Sequence, residues 1–215
     1  MLERYFRTCL IIIVLFSVAG FDSVRPDDGL AKELIQKGIE KFENEDFLGA
    51  ILEFNKAIKK DTSYAEAYYY RAYAKYELED YKGAIKDAII AVQKNPSNPD
   101  YSFLCGMIRE KTGQPEEAYK YYKQATTIDA DFFQAYMEMA RIKIASKEPV
   151  SAIEHLSEAI RVNTESALAF ALRGELYLQQ NKNQQACNDL NQSLRLGYSL
   201  QYDKKVQELV NTYCK

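Results

Sequence analysis

The chain has one histidine, few glycines and no excess of basic charge, and each shortage removes a class of function. A catalytic dyad needs a positioned nucleophile, and none is evident beside His155, which reads as a solvated surface residue. Glycine is sparse, at 9 of 215 residues, and builds no phosphate loop. No strand pattern is apparent, and the run Gly106 to Gly113 lacks the lysine and serine arrangement of a P-loop. The charged residues are 28 Lys and Arg against 31 Asp and Glu, a net charge of −3. Lysine and glutamate are mixed on the polar faces, whereas a nucleic-acid ligand usually demands a basic stripe. The cysteine spacing is wrong for a metal, and the histidine is far from the cysteines. Glu116 and Glu117 begin a helical stretch and favour its positive end; they are not a general acid/base pair. These absences point away from an enzyme, a cofactor and a nucleic-acid partner.

What the chain has is a period. Alanine stands at Ala50, Ala84, Ala118, Ala152 and Ala186, a step of 34 residues repeated across the chain. Small residues keep the same step at Gly38, Ala72, Gly106, Ala140 and Gly174. A second small column runs through Ala57, Ala91, Ala125, Ala159 and Ser193. Turn formers make a third at Asp61, Asn95, Asp129, Asn163 and Gly197. Within a unit, Leu34, Ile35, Gly38, Ile39 and Phe42 are spaced three and four apart, as on one helix face. After Asn44 to Asp46, the residues Phe47, Ala50, Ile51, Phe54, Ala57 and Ile58 mark a second helix. The small residues suit helix crossings, where two backbones approach only if a side chain is missing or is a methyl. Phe54, Tyr122, Leu156 and Leu190 fill the space beside them. One such pair cannot bury its own apolar face, so neighbouring units must stack into a solenoid.

These columns resemble the tetratricopeptide repeat family over about residues 31 to 200. The resemblance rests on the small residues, the aromatics Phe47 and Tyr81, the two alanine columns, Phe54 and Tyr122, and Pro96. It departs where the aromatic column becomes Pro115, Pro149 and Asn183, and where the terminal proline is missing from four units. Proline is tolerated in the first turn of a helix, so Pro115 and Pro149 read as helix starts. The resemblance implies an all-α, right-handed superhelical solenoid of about five helix pairs, in units 31–64, 65–98, 99–132, 133–166 and 167–200. Residues 201–215 follow as a capping helix, with Val206, Leu209, Val210 and Tyr213 on one face and Gly197 closing the helix before it.

The family lines a concave groove with its first helices. Its groove-facing places fall here on Ile35, Ile39, Phe42, Tyr69, Tyr73, Tyr76, Phe103, Met107, Met137 and Arg141. Tyr69, Tyr73 and Tyr76 share a helix face by spacing alone. With Phe103 and Met107 they make an aromatic, polarizable patch suited to a protein or peptide partner. Tyr68, Tyr69, Tyr70 and Tyr73 cannot all face inward on one helix, so at least one is expected near solvent. The carboxylate clamp of some family members is absent, because the matching places hold Ile35, Ile39, Tyr70, Asp100 and Leu104. Three functions follow: a peptide-binding scaffold using the groove, a structural subunit using the convex face or the ends, and a binder of small ligands such as glycans.

At the N-terminus, Arg4 and Arg7 precede the uncharged run Cys9 to Gly20, with small residues Ser17, Ala19 and Gly20 near a cut. This is the layout of a secretory signal. The run is short for a spanning helix, and an uncleaved membrane tether through residues 9–20 is the alternative. Either places the chain in the periplasm or elsewhere in the cell envelope. Residues 21–30, including the polar stretch Arg25 to Gly29, read as a linker. Cys9 leaves with the signal, and Cys105, at a core spacing beside Gly106, reads as a buried free thiol. Cys187 and Cys214 meet at one end if the last two helices are antiparallel, and an exported compartment permits a disulfide. Two unconnected thiols are the alternative.

Overall fold

The computed structural model describes residues 26–197 and 200–214. The segment 9–20, read as signal or tether, lies outside them. Eleven helices make up the described residues. They are α1 (Pro26–Glu43), α2 (Phe47–Lys60), α3 (Ala65–Glu77), α4 (Tyr81–Lys94), α5 (Pro99–Lys111) and α6 (Pro115–Ile128). There follow α7 (Phe133–Ala145), α8 (Pro149–Val162), α9 (Ala167–Gln179), α10 (Asn183–Leu196) and α11 (Leu200–Tyr213). Each helix packs on the next, most extensively within the pairs α1/α2 to α9/α10. The pairs stack in sequence as a solenoid. Among the first helices, α3 also touches α1 and α5 directly.

Helix α1 starts at Pro26, so the second half of the stretch read as a linker is helical. Proline presets φ and needs no amide partner at a helix start, and Pro115 and Pro149 open α6 and α8 in the same way.

The small column works as a set of helix crossings. A Cβ placed on Gly38 would lie 2.5 Å from the Phe54 ring, and one on Gly106 would lie 2.4 Å from Tyr122. At Gly174 the obstacle is Leu190, at 2.8 Å. Phe54, Tyr122 and Leu190 are all essentially without exposure, so the large partner cannot move aside into solvent. Ala72 and Ala140 hold the same place in the other two units and are fully buried.

The turns repeat as faithfully as the helices. Inside each unit one residue adopts positive φ: Glu45 (60°), Glu79 (61°), Gly113 (74°), Lys147 (58°) and Asn181 (58°). Each closes a Schellman motif. In the first unit Asp46 N–H donates to the Lys41 carbonyl and Glu45 N–H to the Phe42 carbonyl, at 2.8 and 2.9 Å. The same two bonds recur in the other four units. Between units, the side chains of Asp61, Asn95, Asp129 and Asn163 each accept from the amide two residues on. Gly197, at φ 68°, takes that column's last place.

Two buried ion pairs also follow the period. Arg71 forks onto Asp87 at 2.8 and 2.6 Å and reaches Asn55 in the preceding unit at 2.7 Å. Three units on, Arg173 forks onto Asp189 at 2.7 and 2.9 Å and reaches Ser157 at 3.0 Å. The positions between hold Cys105 with Tyr121 and Met139 with His155. Cys105 is a buried free thiol, and burial pushes it up to about 12.

Helix α11 closes the C-terminal end. Val206 is fully buried against Ala171 and Leu190. A disulfide joins Cys187 in α10 to Cys214 just beyond α11, across 27 residues.

Gly106→Ala should overpack the α5/α6 crossing and lower stability by about 1–3 kcal/mol. In a Tyr122→Leu background, which reproduces the Ala140 and Leu156 pairing, the same change should cost less; additive losses in denaturant melts would contradict the crossing. Reducing the disulfide, or replacing both cysteines by serine, should cost roughly 3 kcal/mol for a loop of this length. Hydrogen exchange should accelerate first in α10 and α11, and uniform acceleration along the chain would show that the bond does not act locally.

Candidate peptide-binding groove

The residues of the candidate groove occupy three columns of the period. Ile35, Tyr69, Phe103 and Met137 form one; Ile39, Tyr73, Met107 and Arg141 form the second; Phe42 and Tyr76 begin the third. All lie on the first helices. Each half-buried member is anchored on one side by a unit's core: Ile39 and Phe42 by the Phe54 cluster, Tyr69, Tyr73 and Tyr76 by the Leu104 cluster, Phe103 and Met107 by the Tyr122 cluster, and Met137 by the Leu156 cluster. Arg141 is exposed. Ile35 is the exception. It is only 4 % exposed and belongs to the core with Ala50, Phe54 and Ala67, so it offers no ligand surface. Its aliphatic side chain is too short to extend past its neighbours as the tyrosine in the next unit does.

A continuous set of rings runs along α1, α3 and α5. Phe42 meets Phe47, Tyr70 and Tyr73 at centroid distances of 5.4, 5.9 and 5.2 Å. Tyr69 meets Tyr70, Tyr73 and Tyr101 at 5.1, 6.2 and 4.9 Å. Tyr76 links Tyr73 to Tyr81 at 6.1 and 5.6 Å. Most of these contacts are edge-on or tilted, the arrangement the ring quadrupole favours. Phe103 was expected in the same patch. Its ring contacts are instead with Tyr122 and Phe132, at 5.2 and 5.1 Å, and Tyr101 is the α5 ring that meets Tyr69. None of Tyr68, Tyr69, Tyr70 and Tyr73 is exposed: Tyr68 is buried and the rest are half-buried. Packing of α3 by α1, α2, α4 and α5 covers these rings in part, and Tyr69, Tyr70 and Tyr73 keep some surface open to solvent.

One unit further, Tyr76, Met107 and Arg141 line a cleft of about 380 Å³ with Glu110, Lys111, Tyr122 and Glu138. Arg141 bridges two carboxylates, contacting Glu110 and donating to Glu138 at 2.8 Å. Tyr122 donates to Glu110 at 3.1 Å. Glu110, Lys111 and Glu138 escaped the sequence reading, which gave Tyr122 only as a core filler, though the period carries a signal for the two glutamates. Glu110 extends the Phe42 and Tyr76 column, and Glu138 stands in the column of Tyr70.

His155 departs from the solvated residue expected of it. It is half-buried, its Nε2 lies 3.0 Å from the Tyr119 hydroxyl, and burial holds its pKa below the ordinary value. Among the described residues no group of three or more His, Cys, Asp or Glu is placed to hold a metal. No described helix is long and apolar enough to cross a membrane.

Comparison with known families gives the same architecture. One tetratricopeptide repeat model matches residues 110–176, and another matches residues 35–89 and 71–131. The chain belongs to the tetratricopeptide repeat family. No curated protein matches it in sequence. Among solved structures, pilF of Pseudomonas aeruginosa is similar at a TM-score of 0.71 and 17% identity, over 88% of this chain and 94% of that one. MamA is similar at 0.69 and 17% identity, over 77% and 91%. YrrB, described as a tetratricopeptide protein with an unusual peptide-binding site, is similar at 0.67 and 19%, over 81% and 90%. At these identities the likeness establishes the fold.

Burial raises the pKa of Tyr69, Tyr70, Tyr73, Tyr76, Tyr101, Tyr121 and Tyr122. The fold therefore favours the neutral phenols. That stability is complete below the unfolded value near 10 and is lost as pH rises through the folded values. Unfolding and tyrosinate absorbance should rise together above about pH 10; phenols that ionise there with helicity unchanged would contradict the packing.

Proposed function

We propose that this tetratricopeptide protein is a binding scaffold that docks a segment of a partner protein along the groove formed by α1, α3, α5 and α7. The observation that carries this reading is the ring set from Phe42 to Tyr76, anchored in the core yet incompletely covered. Rigid aromatics give large contact area at small entropic cost and are enriched where binding energy concentrates. The description of YrrB as peptide-binding supports the reading by likeness of fold. We also place the chain in the cell envelope, on the basic start and apolar run of residues 4–20.

A second reading, a structural subunit docking through another surface, has its own support. Leu48 and Leu52 on α2 are 67% and 59% exposed. The next unit puts Lys82 and Lys86 at those places. Exposed apolar side chains one helical turn apart suit a protein interface.

Crosslinking and pull-down from native envelopes separates the two. Partners captured by the wild-type chain should be lost from Tyr73→Ala/Phe103→Ala and kept by Leu48→Lys/Leu52→Lys. The opposite pattern would replace the groove by the α2 face. Both variants need helicity equal to wild type before the comparison counts.

A further inference from the structure

The groove is not electrically uniform. In the cleft between α5 and α7 the carboxylates of Glu110 and Glu138 already hold a guanidinium, that of Arg141. At the C-terminal end, Glu175 stands 34 residues beyond Arg141 in the same column. It receives the ammonium of Lys205 at 2.7 Å and the hydroxyl of Tyr202 at 3.2 Å, both from α11. Twice, therefore, a carboxylate on the first helices is met by a cation from elsewhere in the chain.

In the N-terminal half, the groove-side carboxylates Glu43, Glu66 and Asp100 take part in no ion pair among the described residues. Glu43, Glu66 and Asp100 come from α1, α3 and α5 and are exposed. All three act electrostatically on the Tyr70 phenol, and Glu77 acts on Tyr73. The basic residues of α1 and α3 are engaged elsewhere. Lys37 pairs with Glu33, Lys41 with Asp46, and Arg71 and Lys75 with Asp87, while Lys32 lies over the Tyr64 ring. The rings of Phe42, Tyr69, Tyr70 and Tyr73 form one connected set on α1 and α3. Aromatic faces attract cations, and the fold uses this already, with Lys94 5.4 Å from the Tyr68 ring centroid and Lys143 4.8 Å from that of Tyr119.

We propose that this half of the groove, floored by Phe42, Tyr69, Tyr70 and Tyr73 and bordered by Glu43, Glu66 and Asp100, receives an extended peptide segment bearing lysine or arginine. The inference rests on the groove reading above and adds the chemistry of the occupant. The rings bury the apolar stems of the basic side chains, and the carboxylates take their charged ends. Exposed ion pairs add little affinity alone, so the charges act mainly as selection against neutral and acidic segments.

The test pans a random dodecapeptide display library on the full chain and measures the selected peptides by fluorescence anisotropy. The expected peptides combine lysine or arginine with apolar residues. They should bind about tenfold more weakly to Glu66→Gln/Asp100→Asn, a loss of about 1.4 kcal/mol, should weaken with added salt, and should fail to bind Tyr73→Ala. Both exchanges at Glu66 and Asp100 keep side-chain size at exposed positions, so folding is preserved and is checked by circular dichroism. Neutral or acidic peptides that still require Tyr73 would overturn the cationic occupant and leave the groove reading standing. Basic peptides indifferent to all of these variants, or no selected peptide at all, would overturn both.

Discussion

The contact between a small residue on the first helix of a unit and a large one sixteen residues later governs the rest of the structure. Gly38 with Phe54, Gly106 with Tyr122 and Gly174 with Leu190 are the tightest cases, where even a methyl group would collide. Such contacts bring two backbones close and set the angle at which they cross. The crossing then dictates which side of the first helix is free. With one side given to the second helix and another to the next unit, a stripe remains that faces the groove. Ile39, Tyr73, Met107 and Arg141 lie on that stripe because Gly38, Ala72, Gly106 and Ala140 immediately precede them at the crossing.

The turns carry the same constraint through the backbone. Four of the five positive-φ positions inside the units are not glycine, although this conformation is unfavourable for other residues. It persists because the Schellman hydrogen bonds on one side and the buried crossing on the other over-determine the turn. The Asx turns between units do corresponding work with a side chain. Regularity therefore comes from two kinds of corner, each closed by local hydrogen bonds, and a packed contact between them. Local closure of this kind suits an array in which each unit touches only its neighbours.

The period made the architecture readable. A column of small residues at constant step names the crossings, and turn formers at the same step name the corners. The column does not tell how far a side chain reaches. Ile35 and Tyr69 share a register, yet Ile35 ends inside the core while Tyr69 extends to meet Tyr101 in the next unit. Tyr101 and the cleft residues Glu110 and Glu138 were missed for a related reason. Their environment is built by three units at once, whereas a column repeats a single helix position. Arg71 with Asp87 was legible in principle, since Arg173 with Asp189 repeats it three units later. It was hidden because the intervening units replace the pair with Cys105 and Tyr121, then Met139 and His155. His155 was misjudged for the same reason: its cover comes from Tyr119, in the preceding unit.

The replaceable ion pair and the fixed crossing make different demands, and the difference bears on function. A buried Arg and Asp pair is neutral or costly against an apolar substitute of similar volume, so Cys105 and Tyr121 can stand in its place without loss of fold. Where it remains, it consumes the cations of the first helices. Arg71 and Lys75 both turn toward Asp87, away from the carboxylates on the groove side of α3. The positive charge that could have neutralised Glu66 and Glu77 from their own helix is thereby spent inside the unit. The two ends of the groove are not alike as a result. Arg141 and Lys205 satisfy its central and C-terminal acids from within the chain, while the aromatic N-terminal units keep theirs open to solvent. An internal choice of packing partner thus sets the sign of the charge left on this face.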